Sequence, residues 1–318
     1  MKKVLITGGA GFIGSHLSEM YLENGYRVLV VDNLVSGKLD NLTKCFDNEN
    51  FQFKKCDITN KQAIREIIEN YVPDIINHHA AQKSVADSVE NPLNDLDTNL
   101  KGLLNILSCL KEIKSVNFIF SSSGGALSKE IVGDDCSSET DYPSLESPYA
   151  ITKFASEQYI KLYSKQYGFN YTILRYANVF GPRQDAQGEC GVVPIFISQV
   201  NDGLMSKIMT YSDMPDGCTR DYVYVSDVVE ANRLASVFKT NEVYNVSSGK
   251  ELSMHEIYKK VVDVFEGEYK LYFTGPRAGD IKRSVLNNSK ITKKLGWNCK
   301  VTFEEGLELM KKGRNYAD

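Results

Sequence analysis

Tyr149 and Lys153 stand four residues apart in the run Ser147-Pro148-Tyr149-Ala150-Ile151-Thr152-Lys153, a spacing that sends both side chains to one face of a helix. A phenol that titrates near ~10 is a poor base at neutral pH, but an ammonium beside it favours the phenolate. Tyr149 then becomes a usable general base. The same pair on a surface helix would be an ordinary amphipathic contact. What sets this one apart is its position after Ser121-Ser122-Ser123, which closes the apolar run from Val116 to Phe120. Serines at the carboxyl end of a buried strand lie where a parallel sheet builds its sites.

A second chemical signature opens the chain. Val4-Leu5-Ile6 reads as a buried strand, Thr7-Gly8-Gly9-Ala10-Gly11-Phe12-Ile13-Gly14 follows at once, and Phe12 to Glu23 repeats apolar residues at helical spacing. The glycines fit two overlapping patterns, Gly8/Gly11/Gly14 and Gly9/Gly11/Gly14. Either makes a turn without side chains, in which a pyrophosphate meets backbone amides at a helix N-terminus. The next apolar run, Arg27 to Val31, ends in Asp32, eighteen residues after Gly14. A carboxylate there holds the adenine-ribose hydroxyls of a dinucleotide and repels a 2′-phosphate, so the expected cofactor is NAD rather than NADP. Its positive nicotinamide ring would add to the pull on the Tyr149 phenol.

The intervening elements have to carry these groups. Phe51 to Cys56 alternates as a strand should, Lys61 to about Tyr71 reads as a helix, and Asp74 to Ala81 as a strand ending in small residues that leave room for a cofactor. Asn91 caps and Pro92 opens one long helical period to Ile113, more apolar than a single contact face requires. Ser147 caps a helix from Pro148 to about Tyr167, and Tyr171 to Tyr176 is the next strand. Strands alternate with helices throughout, which predicts an α/β fold with a Rossmann-type doubly wound parallel sheet. Beyond Asn178 the texture changes: a loop from Phe180 to Asp185, a helix from Val192 to Val200, a strand from Asp221 to Val225, a helix capped by Asp227, and capping boxes at Ser253/Glu256 and Thr302/Glu305. We expect residues 1–178 to form the cofactor domain, with some later segments returning to it, and residues 179–318 to form mainly a smaller mixed α/β substrate lobe, with the ligand in the cleft between them.

Composition removes other classes. A net charge of −4 among 25% charged residues gives no nucleic-acid or membrane-surface signal. No run of eighteen apolar residues occurs, so the chain reads as cytoplasmic and free of membrane. Seven scattered cysteines suit reduced thiols. His16, His78, His79 and His255 are too dispersed for a metal centre and read as packing or surface residues, with His79 the one that could line the cofactor cleft.

Gly8/Gly11/Gly14, Asp32-Asn33, Asp57-Ile58, Ala80-Ala81, Asn99, Ser121-Ser122-Ser123, Tyr149/Lys153 and Arg175-Tyr176-Ala177-Asn178 together resemble the extended short-chain dehydrogenases/reductases, and within them most closely the UDP-glucose 4-epimerases. The likeness runs almost end to end. It implies an NAD-dependent isomerase acting on a UDP-sugar, in which Asp32 holds the adenine ribose, Asp57 and Ile58 contact adenine, and Ala80, Ala81 and Lys83 line the nicotinamide side. It further implies that Ser123 hydrogen-bonds the sugar's 4-hydroxyl, Tyr149 takes its proton, Lys153 also binds the nicotinamide ribose, and Tyr176 closes the cofactor pocket. Phe12, Ile13, Asn33 and Asn99 complete the cofactor set. Asn178, Val192, Arg220, Arg277 and Asp280 fall on the nucleotide-sugar side, the arginines in loops that grip the diphosphate, and Ser284 aligns with the gate for the sugar's 2-substituent. A net-negative protein that binds a pyrophosphate needs such local guanidinium forks.

Relatives usually follow the serine turn with Tyr-Gly, where this chain has Leu127-Ser128, so the loop over the sugar should differ. A related 4,6-dehydratase would place an acid pair after the turn's third residue, where Gly124-Gly125 stands. The competing readings are therefore a dehydratase or decarboxylase on the same scaffold, and a non-catalytic NAD-binding protein. The surplus apolar faces of the helices from Pro92 to Ile113 and from Pro148 to Tyr167 suggest a homodimer.

Overall fold

In the computed structural model, which describes residues 1–113, 115–185, 191–276 and 281–314, the glycine turn leaves the C-terminal end of a central sheet strand. The first half of the chain runs β1 (Lys3–Thr7), α1 (Phe12–Glu23), β2 (Arg27–Asp32), α2 (Thr43–Phe46), β3 (Phe51–Lys55), α3 (Lys61–Tyr71), β4 (Ile75–His78), α4 (Val85–Glu90), α5 (Pro92–Asp95), α6 (Gly102–Cys109), β5 (Asn117–Ser123), α7 (Pro148–Tyr167) and β6 (Asn170–Tyr176). The second half adds β7 (Asn178–Phe180), α8 (Val192–Asn201), β8 (Ser206–Met209), β9 (Thr219–Tyr224), α9 (Val225–Val237), β10 (Glu242–Val246), β11 (Glu251–Ser253), α10 (Met254–Phe265), β12 (Leu271–Thr274), β13 (Arg283–Ser284), α11 (Ser289–Leu295) and α12 (Phe303–Arg314).

Seven parallel strands stand in the order β10-β6-β5-β4-β1-β2-β3, a Rossmann-type doubly wound sheet. Strand order reverses between β1 and β4, so the crevice for a ligand opens beyond their carboxyl ends. The sheet is buried on both faces. Ile6, Val30 and Leu174 pack on one side and Leu5, Leu29 and Ile173 on the other, which explains why the strands read as apolar runs rather than as alternating ones. β10 comes from the second half of the chain and forms the sheet's edge beside β6. The remaining strands make two small sheets: β9 with β7, β11 and β13, and β8 with β12. An aromatic core of Phe180, Phe196, Tyr222, Tyr258 and Phe303 supports them.

Local chemistry fixed several boundaries. The Ser147 hydroxyl accepts from Ala150 N, Pro148 occupies the first turn, and Gly168 closes α7 in the left-handed conformation. The Ser253/Glu256 capping box is complete, and Thr302 and Glu305 bond reciprocally at the start of α12.

Two expectations are corrected. The segment from Pro92 is not one regular helix to Ile113, because residues Leu96–Lys101 form a π-helical stretch between α5 and α6 and the run ends at Cys109. Asp227 does not cap α9, whose N-cap is Tyr224. Its carboxylate instead accepts from Lys300 N at 3.1 Å and Val301 N at 3.0 Å, tying the C-terminal segment to the helix. No described helix is long and apolar enough to cross a membrane.

Candidate active site

Gly8 has φ +70, and a Cβ on it would lie 2.6 Å from Ala80 N; one on Gly14 would lie 2.2 Å from Gly8 O. No side chain fits either position, so the turn is a bare cradle of amides at the N-terminus of α1. Gly11 is the N-cap of that helix. Phe12 and Ile13, its first residues, pack partly buried against the aromatic core of the second half. At the end of β2 the buried Asp32 carboxylate accepts from Ala10 N at 3.0 Å and Leu34 N at 2.8 Å. Asn33 donates to Asp57 at 2.8 Å. Burial alone would raise the Asp57 pKa, but hydrogen bonds from Thr59 and Asn33 hold it below the usual value. Asn33 and Asp57 line an open groove of about 750 Å³ between β3 and α3, and Ile58 is buried next to them.

Past β4, Ala80 and Ala81 lie half-buried and Lys83 is exposed. Asn99, on the π-helical stretch, accepts from Gln82 N at 2.9 Å and donates to Gln82 O at 3.0 Å, a side-chain copy of strand pairing that fixes the loop. His79 bonds Tyr176 Oη through Nε2 at 3.1 Å. Burial, and then the charge of Lys153, lower its pKa to about 3. Its buried Nδ1 has no partner among the described residues. A dinucleotide with a diphosphate, a ribose diol and a flat amide-bearing ring matches this donor set.

The catalytic candidates converge at the ends of β5 and α7. Ser123 and Tyr176 are paired neighbours across β5 and β6. Lys153 is buried, donates to Ser121 O at 3.0 Å, and stands 5.8 Å from the Tyr149 ring centre. Burial lowers the Lys153 pKa to about 8 against the opposing charges of Asp95 and Glu157. Tyr149 departs from expectation. Burial pushes its phenol up to about 12, the hydrogen bond with Ser123 pulls the other way, and Asp95 adds to the rise. The protein alone therefore holds Tyr149 as a neutral phenol, and lowering its pKa falls to a cationic ligand.

Ser123 and Tyr149 face a cavity of about 270 Å³ whose other walls include Lys83, Asn178 and Arg220. Asn178 opens β7 and Arg220 lies in β9, so the cavity spans the large sheet and the second half. Arg220 is thus on a strand, not in a loop, and its guanidinium donates to Thr219 O at 2.8 Å. Ser284 is buried behind the wall, 4.0 Å from where a Cβ on Gly125 would be. Val192 starts α8 and packs against the second core, and it is not among the residues lining this cavity. Arg277 and Asp280 lie outside the described residues. Leu127 and Ser128 are buried at 2% and 1% exposure, so the pair that departs from the family pattern is interior structure and not cavity wall.

Sequence reasoning passed over Asp95 and Glu157. Asp95 is fully buried, accepts from Thr152 and Asn99, and has its pKa raised by burial. Glu157 follows Lys153 by one helical turn on the same face. An acid in step with the candidate lysine, on a helix face that must be buried, was the available signal.

Residues 5–310 match the family model described as GDP-mannose 4,6 dehydratase. The chain belongs to this family. Within it, the chain is 34% identical to a UDP-glucose 4-epimerase of Mycolicibacterium smegmatis over 96% of both chains. It also superposes on the UDP-glucose 4-epimerase of Thermotoga maritima with UDP-glucose (TM-score 0.92, 41% identity, 99% of this chain and 100% of that one). The UDP-glucose 4-epimerase of Thermus thermophilus in complex with NAD gives a TM-score of 0.91 at 39% identity, with 99% and 100% covered. The likeness to extended short-chain dehydrogenases/reductases drawn from the motifs is thus borne out along nearly the whole chain.

Proposed function

We propose that this chain is an NAD-dependent isomerase that interconverts the C4 epimers of a UDP-hexose. The observation that carries the reading is the cavity on which Ser123 and Tyr149, backed by buried Lys153, face Asn178 and Arg220. The glycine turn would hold the cofactor's diphosphate, Asp32 its adenine ribose, Asp57 and Ile58 its adenine, and Ala80, Ala81, Lys83 and Tyr176 its nicotinamide end. NAD bound there would supply a hydride acceptor, and then donor, at the sugar's C4. Tyr149 removes the O4 proton and later restores it, in the role of a general base turned acid. Ser123 steadies the same hydroxyl, and Lys153 supplies positive charge beneath the phenol. Asn178 and Arg220 hold the nucleotide diphosphate.

Residues 1–178 serve as the cofactor domain, joined by α9 and β10, and the rest mainly holds the sugar nucleotide. Unpaired thiols such as Cys45 and Cys109 suit a reducing cytoplasm. The enzyme works as a homodimer through α5, α6 and α7.

The dehydratase alternative meets a steric obstacle. A Cβ on Gly124 would fall 2.2 Å from Leu286 Cδ1, so an acid cannot stand there without moving the core, and elimination needs a positioned acid and base. The deciding experiment incubates purified protein with UDP-galactose and no added cofactor. UDP-glucose supports the epimerase, a 4-keto-6-deoxy sugar would mean a dehydratase, and no product would mean a non-catalytic scaffold.

A further inference from the structure

Asp221 is 1% exposed, and among the described residues no cation pairs with it. Four donors hold the carboxylate instead. Ser248 N at 3.0 Å and Ser248 Oγ at 2.7 Å meet Oδ1, while Gly249 N at 3.1 Å and Leu286 N at 3.3 Å meet Oδ2. Its main-chain carbonyl accepts from Asn178 Nδ2 at 3.0 Å. Arg220 precedes it in β9, and Ser284 stands opposite Arg220 in the parallel pairing with β13. Three candidate substrate-side residues, from three separate segments, thus lie around one buried side chain and its stretch of β9.

A carboxylate removed from water without a counter-ion is costly, and charge-assisted hydrogen bonds are what offset that cost. Burial accordingly raises the Asp221 pKa to about 6, against the opposing hydrogen bonds of Ser248, Leu286 and Gly249. The neighbouring acid of the small sheet, Glu251, instead pairs with Arg283. Only an acceptor with two oxygens can serve donors arriving from both sides; an amide would turn its own N–H groups toward Gly249 and Leu286.

We propose that Asp221 is a positioning residue for the sugar-nucleotide half of the site: its carboxylate clamps the Ser248-Gly249 turn and the segment leaving β13 at Leu286 onto β9, and so sets where Asn178, Arg220 and Ser284 stand. The proposal rests on the reading of the cavity as a nucleotide-sugar site. It is tested on the full chain with its resident NAD, using Asp221→Asn and Ser248→Ala. The readouts are kcat and KM for UDP-galactose, calorimetric Kd for UDP, and NAD content after purification.

Asp221→Asn is expected to raise KM and the UDP Kd about tenfold, with kcat changed less than about threefold and NAD retained, because the lost contacts act on binding and not on the chemical step. Ser248→Ala removes one donor, and a smaller rise of about threefold is expected. If Asp221→Asn fails to fold, Ser248→Ala decides alone. Unchanged KM and Kd in the variants, or NAD lost in step with UDP affinity, overturns the proposal. A wild-type protein that binds no UDP overturns the functional reading and this proposal with it; wild-type UDP binding with unaltered variants overturns this proposal alone.

Discussion

The guanidinium of Arg175 on β6 grips the carboxylate of Glu157 on α7 at two points, Nε to Oε1 and Nη2 to Oε2, each at 2.8 Å, with both side chains closed to solvent. The Ser122 hydroxyl donates to the same carboxylate at 2.7 Å. Because Glu157 lies one turn beyond Lys153, this cluster sets the height of α7 over β5 and β6, and with it the position of Tyr149 and Lys153. Removing one partner strands the other charge in the interior. Glu157→Gln is therefore expected to cost about 3–5 kcal/mol of stability, together with a fall in kcat. Urea denaturation checks it, and an unmoved midpoint would count against a positioning role for the pair.

Tyr149→Phe keeps the ring, its packing and the Lys153 contact but removes the hydroxyl proposed to exchange a proton with the sugar. We expect kcat to fall by about 10²–10⁴-fold, the scale of general acid–base catalysis, with NAD content and UDP affinity preserved. Turnover near the wild-type rate would reassign the base.

The pH dependence follows from Lys153. Its ammonium is present below about pH 8 and is lost as pH rises through that value, because burial disfavours the charge while Asp95 and Glu157 favour it. The alkaline limb of kcat/KM is expected near pH 8. In Asp95→Asn one of the two favourable charges is gone, so the limb should move to lower pH. A pH–rate profile in which the limb stays in place excludes Lys153 as its origin.

The sheet, the glycine turn and the start of α7 were legible because each rests on local rules: apolar runs of strand length, bare turns, and a serine cap followed by proline. What escaped depends on partners far away in the chain. The π-helical stretch accompanies the pairing of Asn99 with Gln82, seventeen residues earlier, and no periodicity encodes that. The role of Asp227 needs the backbone of Lys300 and Val301. At Tyr149, spacing reveals that an ammonium is near but not how much water the fold removes. The resemblance put Arg220 in a loop, whereas pairing with β11 and β13 makes it part of a strand.

Sugar selectivity should follow from the small residues behind the cavity. Gly125 lines it, and a Cβ there would meet nothing nearer than Ser284 Oγ at 4.0 Å. We expect that space to take an acetamido group, so UDP-GlcNAc and UDP-GalNAc should be turned over alongside UDP-glucose and UDP-galactose. Ser284→Tyr would fill it and should lower kcat/KM for the acetamido sugars by about 10–200-fold, the range that pocket size alone supplies, with little effect on the plain hexoses. Conversion of hexoses only, together with an inert Ser284→Tyr, would end this account.

The last expectation concerns assembly. On α5 and α7, which pack side by side, Leu93 is 73% exposed, Ile151 52% and Leu162 48%. The opposite face of α7 buries Lys153 and Glu157, so the helix carries the candidate site residues on one side and an apolar surface on the other. An apolar face of this kind on two adjacent helices is best covered by its own copy through a two-fold axis, since each helix then meets its equivalent. We expect a dimeric mass at micromolar concentration. Ile151→Glu combined with Leu93→Glu should yield a monomer, because a charge at the centre of an apolar contact must be desolvated without a partner. Ser123, Tyr149, Lys153, Asn178 and Arg220 all come from one chain, so the monomer should keep its UDP affinity and lose only stability. Sedimentation of the wild type as a monomer would remove the interface, and a dissociated variant that no longer binds UDP would mean that the second copy helps to build the site.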